Sequence, residues 1–527
     1  MDTVNHADVL VIGSGFGGSF AARNLTRSGY KVVLLERGPW RKTTPTASIG
    51  VADPTPLPQG RKMLTHLLRS VRLPVSGMKE IRLNKRGFFE GFFGHGLWLF
   101  CTSNVGGGSH AFAGLLSRPL VEDFWDGFHP DLTSETMEPY YDQVLETLRP
   151  IDPTERVEEA GWRYQIGEGQ PLREVESLRR PASFLLAEPG LAPKAQVGPN
   201  DVRRRECEMD NNSFLGSGSG AKTTLDAAVI WPAMKDGLVV MDMCEALSIH
   251  QTDEAEEART GDDDGTRYVV KFRDLKKNAD KEIRARFVVV AAGGLNSVRL
   301  LMASRGSAKG LRDLPGLGQR IGGNGDFFGF WKENAPLDLS RGLPVGPAFR
   351  PAKSLYESYM VRAGFQGVDG YPLPRFIKRW LRRQSILIAM ASEKAEGTSR
   401  FVDGRYYLDY QKEVSPGVME VADWVSELEA ATSTKVFSTK VPISVHPLGG
   451  ACIGATSTQG VVDGTGQVFG CPGLYVADSA AFPGAPGGPP SLSIAAWGAY
   501  VADCLARSDR RNYVAESDEG FTLYKYN

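Results

Sequence analysis

The chain has 527 residues, 42% of them hydrophobic, which exceeds what one hydrophobic core usually holds, so two interleaved domains are expected. A net charge of −1 and a sequence pI of about 6.7 give no global field that would make nucleic acid or an anionic membrane an obligatory partner. The six cysteines (Cys101, Cys207, Cys244, Cys452, Cys471, Cys504) contain no CxxC pair and suit buried free thiols, which argues against a disulfide framework or a metal centre.

The chain enters an apolar strand, Ala7 to Ile12, almost at once, and no run reaches the ~18 apolar residues that span a bilayer; a cytoplasmic protein without a leader is expected. Residues 8–36 read as strand, glycine turn, helix, strand, with Gly13-Ser14-Gly15-Phe16-Gly17-Gly18 at the turn and Glu36 closing the second strand. A dinucleotide's pyrophosphate needs backbone N–H groups at a helix N-terminus with no side chain in the way, and Gly13, Gly15 and Gly18 have that spacing. Glu36 is then placed to accept ribose hydroxyls and to repel a 2′-phosphate.

Residues 61–72 gather Met63, Leu64, Leu67, Leu68 and Val71 on one side of a helix and Arg61, Lys62, His66 and Arg69 on the other. Residues 374–387 repeat the pattern, with Phe376, Ile377, Trp380 and Leu381 opposite Arg375, Lys378, Arg379, Arg382 and Arg383. The plain expectation for both is a helix packed on its core with a solvated basic face. The alternative is transient contact with anionic lipid or a lipid-like substrate. Between them, Leu238 to Met241 and Tyr268 to Phe272 flank an acidic stretch (Asp253 to Glu257 and Asp262 to Asp264) and read as an antiparallel meander with an exposed turn. Two further strand-to-helix transitions follow, at Phe287 to Gly294 and at Gly473 to Asp478, the latter leading through a Gly/Pro loop into a helical run to Leu505. Strands of one parallel sheet thus sit at both ends of the sequence, and the domains are discontinuous.

Five segments together resemble the glucose–methanol–choline (GMC) oxidoreductases, particularly the cholesterol-oxidase-like branch: Val11 to Gly38, Asn104 to Ser109, Gly220 to Asp226, Ala291 to Ser297, and His446-Pro447-Leu448-Gly449-Gly450 through Ile494. The resemblance implies an α/β protein. Its Rossmann-like FAD-binding domain, a parallel sheet with a β-meander, would take residues 1–45, 95–120, 215–325 and 440–527. A discontinuous α+β substrate-binding domain with a large sheet would take 46–94, 121–214 and 326–439. It implies FAD, held non-covalently because no histidine stands next to the Asn104–Ser109 loop on its N-terminal side.

Carried over residue by residue, Asn104, Gly107, Gly108 and Ser109 would pack against flavin and pyrophosphate, Val240 would hold the adenine, and Ala292 and Gly293 would lie beside the dinucleotide. Asp478 would contact the ribityl chain, and Gly488 and Pro489 with the following helix N-terminus would face the flavin's pyrimidine edge. His446 is the expected catalytic base, since an imidazole can take a hydroxyl proton near neutrality.

The chain departs from that branch at two places. Pro489 stands where the branch has an asparagine and offers no polar side chain, so His110 is the candidate substitute. No carboxylate lies between Arg375 and Met390, where the steroid-oxidising branch carries a proton-moving glutamate, so coupled isomerisation is not expected. The expected function is FAD-dependent oxidation of an alcohol on a hydrophobic or amphiphilic molecule. The alternative is a non-redox lyase, isomerase or cyclisation reaction on the same flavoprotein fold.

Overall fold

The computed structural model describes residues 5–73, 80–152, 172–174, 181–188, 191–207, 213–252, 265–305, 310–311, 314–332, 340, 348–351, 358–365, 368–411 and 415–518. The acidic stretch at 253–264 lies outside the described residues.

Val9, Leu10 and Val11 are fully buried because the strand His6–Ile12 is covered on both faces and flanked on both edges. It pairs in parallel with Val32–Glu36 on one side and Ala279–Val290 on the other. Val239–Asp242 adds to the outer edge of Val32–Glu36, and Leu474–Val476 joins Ala279–Val290, both in parallel. The helix Phe16–Arg27 packs closely on the last helix, Ser491–Asp518, through residues with almost no side chain. A Cβ at Gly498 would come 2.2 Å from the Gly17 carbonyl oxygen, and one at Gly17 would come 1.7 Å from that of Ala477.

The meander differs from expectation. Val239–Asp242 belongs to the parallel sheet, and the antiparallel part comprises Cys244–Gln251, Tyr268–Asp274 and Ala279–Val290. The chain changes direction at buried Met243, whose φ of +58° no composition pattern announces.

A second, antiparallel sheet orders Val436–Ser438, Phe327–Lys332, Gln384–Ala391, Ser358–Gly364, Ala348–Pro351 and Leu172–Glu174. Strand alternation gives its central strand two faces. Leu387, Ala389 and Ala391 pack on Val421, Trp424 and Leu428 of the helix Pro416–Thr432, while Ile386, Ile388 and Met390 face a cavity.

A third sheet joins Ile443–Ser444, Trp98–Thr102, Phe89–Phe93, Leu68–Arg72 and Ile81–Arg82. The domain boundary expected at 94–95 falls between two of its strands, which pair from Phe89↔Thr102 to Phe93↔Trp98. Glu90, fully buried, accepts from Arg37, Arg72 and Asn296, and those partners hold its carboxyl below the usual carboxylate range against the opposing effect of burial.

Neither amphipathic segment is one continuous helix. The first is helical only to His66 and becomes a strand at Leu68–Arg72, because pairing with Phe89–Phe92 and Ile81–Arg82 outweighs its helical spacing. The second is helical at Arg375–Leu381 and extended from Gln384. Among the described residues, no helix is long and apolar enough to cross a membrane.

Candidate active site

A cavity of about 520 Å³ runs from the first glycine turn to the second sheet. At one end Gly13, Ser14, Gly15 and Gly17 meet Glu36, and the N-terminus of Phe16–Arg27 has no side-chain cap, so its N–H groups are free for an anion. Gly107, at φ +51°, presses on this turn: a Cβ there would come 2.5 Å from the Gly15 Cα. A Cβ on Gly15 itself would meet no atom within 4 Å and would stand in the cavity. Glu36 is buried and already accepts from the Ser14 amide and hydroxyl (3.0 and 2.6 Å) and from the Gly38 amide (2.7 Å). Burial raises its pKa against those bonds, and a carboxylate with about four lone-pair sites keeps capacity for a ribose hydroxyl.

These residues fit a dinucleotide, and the fit gives a test. Gly15→Val is expected to abolish FAD retention on gel filtration while circular dichroism stays native, because the branched side chain fills the space where the pyrophosphate would lie. Unchanged flavin content would mean the dinucleotide lies elsewhere.

Nine of the expected cofactor residues line this cavity: Gly13, Gly15, Glu36, Gly107, Gly108, Ala292, Gly293, Asp478 and Pro489. Five do not. Gly18 lets the helix close on the turn, since a Cβ there would sit 2.0 Å from the Gly13 carbonyl oxygen. Asn104 braces its loop, its Oδ1 accepting from Arg41 Nε at 2.5 Å and its carbonyl accepting from Gly107 N at 2.7 Å. Ser109 donates to the Gly106 carbonyl and accepts from the Leu225 amide. Gly488 accepts at its carbonyl from Asn324 Nδ2, 3.0 Å away. Val240 is on the edge strand opposite Leu34, and Cys244, Glu245 and Ala246 form the cavity wall beside Glu36 instead. The turn at Met243 moves that wall past Val240.

His110, expected as the substitute polar group, is also off the wall. Its ring is fully buried behind the Asn104–Ser109 loop, with Nε2 2.9 Å from the Val105 carbonyl and 3.6 Å from Asp226. Burial lowers its pKa despite Asp226, leaving a neutral structural imidazole. Asp478 accepts from Gly293 N, Ser297 Oγ and Ala480 N, which fixes it at the end of its strand.

The other end of the cavity is apolar: Phe328, Phe330, Val361, Phe365, Ile386 and Ile388 form its walls, and the Phe330 and Phe365 rings stack at 5.5 Å. His446 faces this chamber, and Pro489 lines the same cavity. Its Nδ1 lies 2.9 Å from Asp326, a buried carboxylate that also accepts from Ser444 Oγ (2.8 Å) and Val445 N (3.1 Å). A carboxylate so placed accepts a hydrogen bond from Nδ1–H, which leaves Nε2 as the basic nitrogen. Ser444 Oγ in turn accepts from the His446 amide, so one turn holds both the backbone and the ring of His446. Behind Asp326, buried Glu393 bonds Tyr410 (2.5 Å) and the Gly323 amide (2.5 Å); burial first, then the charge of Asp326, pushes its pKa up to about 7.

Sequence reasoning missed Asp326. The available signal was an acid closing the turn Gly322-Gly323-Asn324-Gly325-Asp326 immediately before the strand Phe327–Lys332.

The dinucleotide turn and the histidine-bearing segment both match known families. Residues 11–40 match the NAD(P)-binding Rossmann-like domain, and residues 374–498 match GMC oxidoreductase. The chain carries the C-terminal domain of the GMC oxidoreductases. Its cholesterol oxidase relatives include that of Mycobacterium tuberculosis (26% identical over 93% of this chain and 89% of the relative) and that of Acinetobacter baumannii (24% identical, 94% of each). The pyridoxine 4-oxidase structure superposes with a TM-score of 0.57 at 15% identity, covering 94% of this chain and 98% of that one, and shows the shared fold. GMC oxidoreductases are flavoproteins, and the glycine turn with Glu36 fits FAD. The chain is an FAD-type oxidoreductase acting on CH–OH donors.

Proposed function

We propose that the chain oxidises the hydroxyl of a hydrophobic, sterol-, terpenoid- or lipid-like alcohol to a carbonyl, with FAD bound non-covalently and His446 as base. The observation that carries this reading is His446, oriented by buried Asp326, facing an apolar chamber that opens onto the dinucleotide groove. The Phe328, Phe330 and Phe365 walls exclude water and favour an apolar body through burial of hydrocarbon surface. Among the described residues lining this chamber, His446 is the titratable one, so an alcohol must turn its hydroxyl toward Nε2 to keep a hydrogen bond. His446 takes the hydroxyl proton, and Asp326 stabilises the imidazolium that results. Bound FAD would supply the two-electron acceptor, receiving hydride at N5 from the carbinol carbon. Pro489 adds apolar surface to the same cavity and offers no side-chain donor that could share the hydroxyl.

Anaerobic mixing of the yellow holoprotein with long-chain, terpenoid and steroid alcohols tests the reading. Bleaching of the oxidised flavin band by such an alcohol, but not by a small polar one, is expected. A substrate turned over without any bleaching would establish non-redox chemistry.

Non-covalent attachment has its own support. The two cavity-wall thiols, Cys101 and Cys244, are both pushed up to about 12 by burial and are poor nucleophiles toward a flavin. Acid precipitation is expected to leave a colourless pellet and a yellow supernatant. Flavin retained in the pellet would overturn this part.

A further inference from the structure

Two surface segments far apart in sequence come together at one place. A Cβ on Gly60, just before the short helix Met63–His66, would sit 3.7 Å from the carbonyl oxygen of Gly370, just before the helix Arg375–Leu381. Each helix presents apolar side chains to solvent: Leu64 is 77% exposed, Phe376 71% and Trp380 50%. Residues 60–66 and 368–383 hold Arg61, Lys62, Arg375, Lys378, Arg379, Arg382 and Arg383, yet a single acid, Asp369, in a chain whose net charge is −1. Asp369 is committed to Arg382, and its carbonyl to Lys378. Arg61, Lys62, Arg375, Arg379 and Arg383 make no ion pair with another described residue.

The position of this surface matters as much as its composition. The helix Arg375–Leu381 lies in the connection between Ser358–Gly364 and Gln384–Ala391, which pair up to Gly364↔Ser385. Phe365, one residue beyond that last pair, and Ile386, one residue inside it, line the apolar chamber. The exposed rings therefore stand at the chamber's end of the molecule.

A single exposed apolar residue is ordinary, but an aromatic pair with a leucine, among arginines and lysines most of which make no ion pair with a described acid, matches a specific environment. Aromatic rings are stable at the headgroup level of a bilayer, and arginines there meet lipid phosphates. We propose that this face docks on an anionic phospholipid bilayer. Docking would bring the apolar chamber to the surface from which a lipid-like alcohol is drawn; that clause rests on the proposed function, whereas docking itself does not.

The test is co-sedimentation of the holoprotein with phosphatidylcholine vesicles that contain or lack phosphatidylglycerol, at low and high salt. Partitioning onto the phosphatidylglycerol vesicles is expected, and it should be lost at high salt. Arg375→Gln/Arg379→Gln/Arg383→Gln should weaken it about 10²-fold. Phe376→Ser/Trp380→Ser should weaken it by at least ~10-fold. Both variants should keep native flavin content and circular dichroism, because these side chains are exposed. Wild-type protein that stays in the supernatant with anionic vesicles at low salt would overturn the proposal, as would a charge variant that binds like wild type. A change of oligomeric state on Phe376→Ser/Trp380→Ser would assign the face to a second copy of the chain instead.

Discussion

His446→Ala is expected to slow anaerobic flavin reduction by at least ~10²-fold, the low end of what a positioned general base contributes, while FAD stays bound. The size of the effect follows from the chamber: the phenylalanine, valine, isoleucine, methionine and proline side chains on its walls cannot take the proton. His110 cannot replace it from behind its loop, where its Nε2 faces the Val105 carbonyl. The dinucleotide groove does not include the His446 ring's hydrogen-bond partners, so flavin content should be unchanged. Stopped-flow reduction by an alcohol substrate measures the rate directly, and an unaffected rate would make His446 structural.

Asp326→Asn should lower the same rate by about 10- to 100-fold, the usual cost of losing a carboxylate that orients a functional histidine. Asparagine is nearly isosteric, but it carries no charge to stabilise an imidazolium. An amide also cannot accept at both ends, so either Val445 N–H and Ser444 O–H or the His446 ring loses its acceptor. A loss in kcat with KM little changed is expected, because Asp326 touches the base and not the substrate. The double variant Asp326→Asn/His446→Ala should be no slower than His446→Ala alone, since Asp326 acts through the ring. Additive losses would mean that Asp326 serves the fold independently.

The parts legible in the sequence are those where one physical requirement dictates residue type over a contiguous run. Val9 to Ile12 had to be apolar on both faces, and Gly13 and Gly15 had to be bare, so strand and turn announce themselves. The HPLGG segment pointed to His446 through its resemblance to the GMC oxidoreductases. What stayed hidden depends on contacts between distant segments. Leu68–Arg72 has helical spacing but takes its conformation from the partner strand Phe89–Phe93. Asp326 is an isolated acid until the chain returns 120 residues later to set His446 against it. Val240 was placed on the cavity because sequence spacing cannot show that the backbone turns at Met243. Phe376 and Trp380 had a pattern fit for burial, and only the packing reveals that no core receives them.

The tight contact between the first and last helices governs when the protein becomes functional during its synthesis. Gly17 and Gly498 touch backbone to backbone, and Pro489, Pro490 and Ser491 form part of the cavity wall. The glycine turn is translated well before the wall opposite it, which emerges from the ribosome on the order of a minute later at about 5–20 residues per second. Until then the parallel sheet lacks Leu474–Val476, and its face is open where the last helix belongs. A nascent chain stalled before residue 474 should therefore hold no flavin, and cofactor capture becomes a checkpoint that only a polypeptide translated past its last helix can pass.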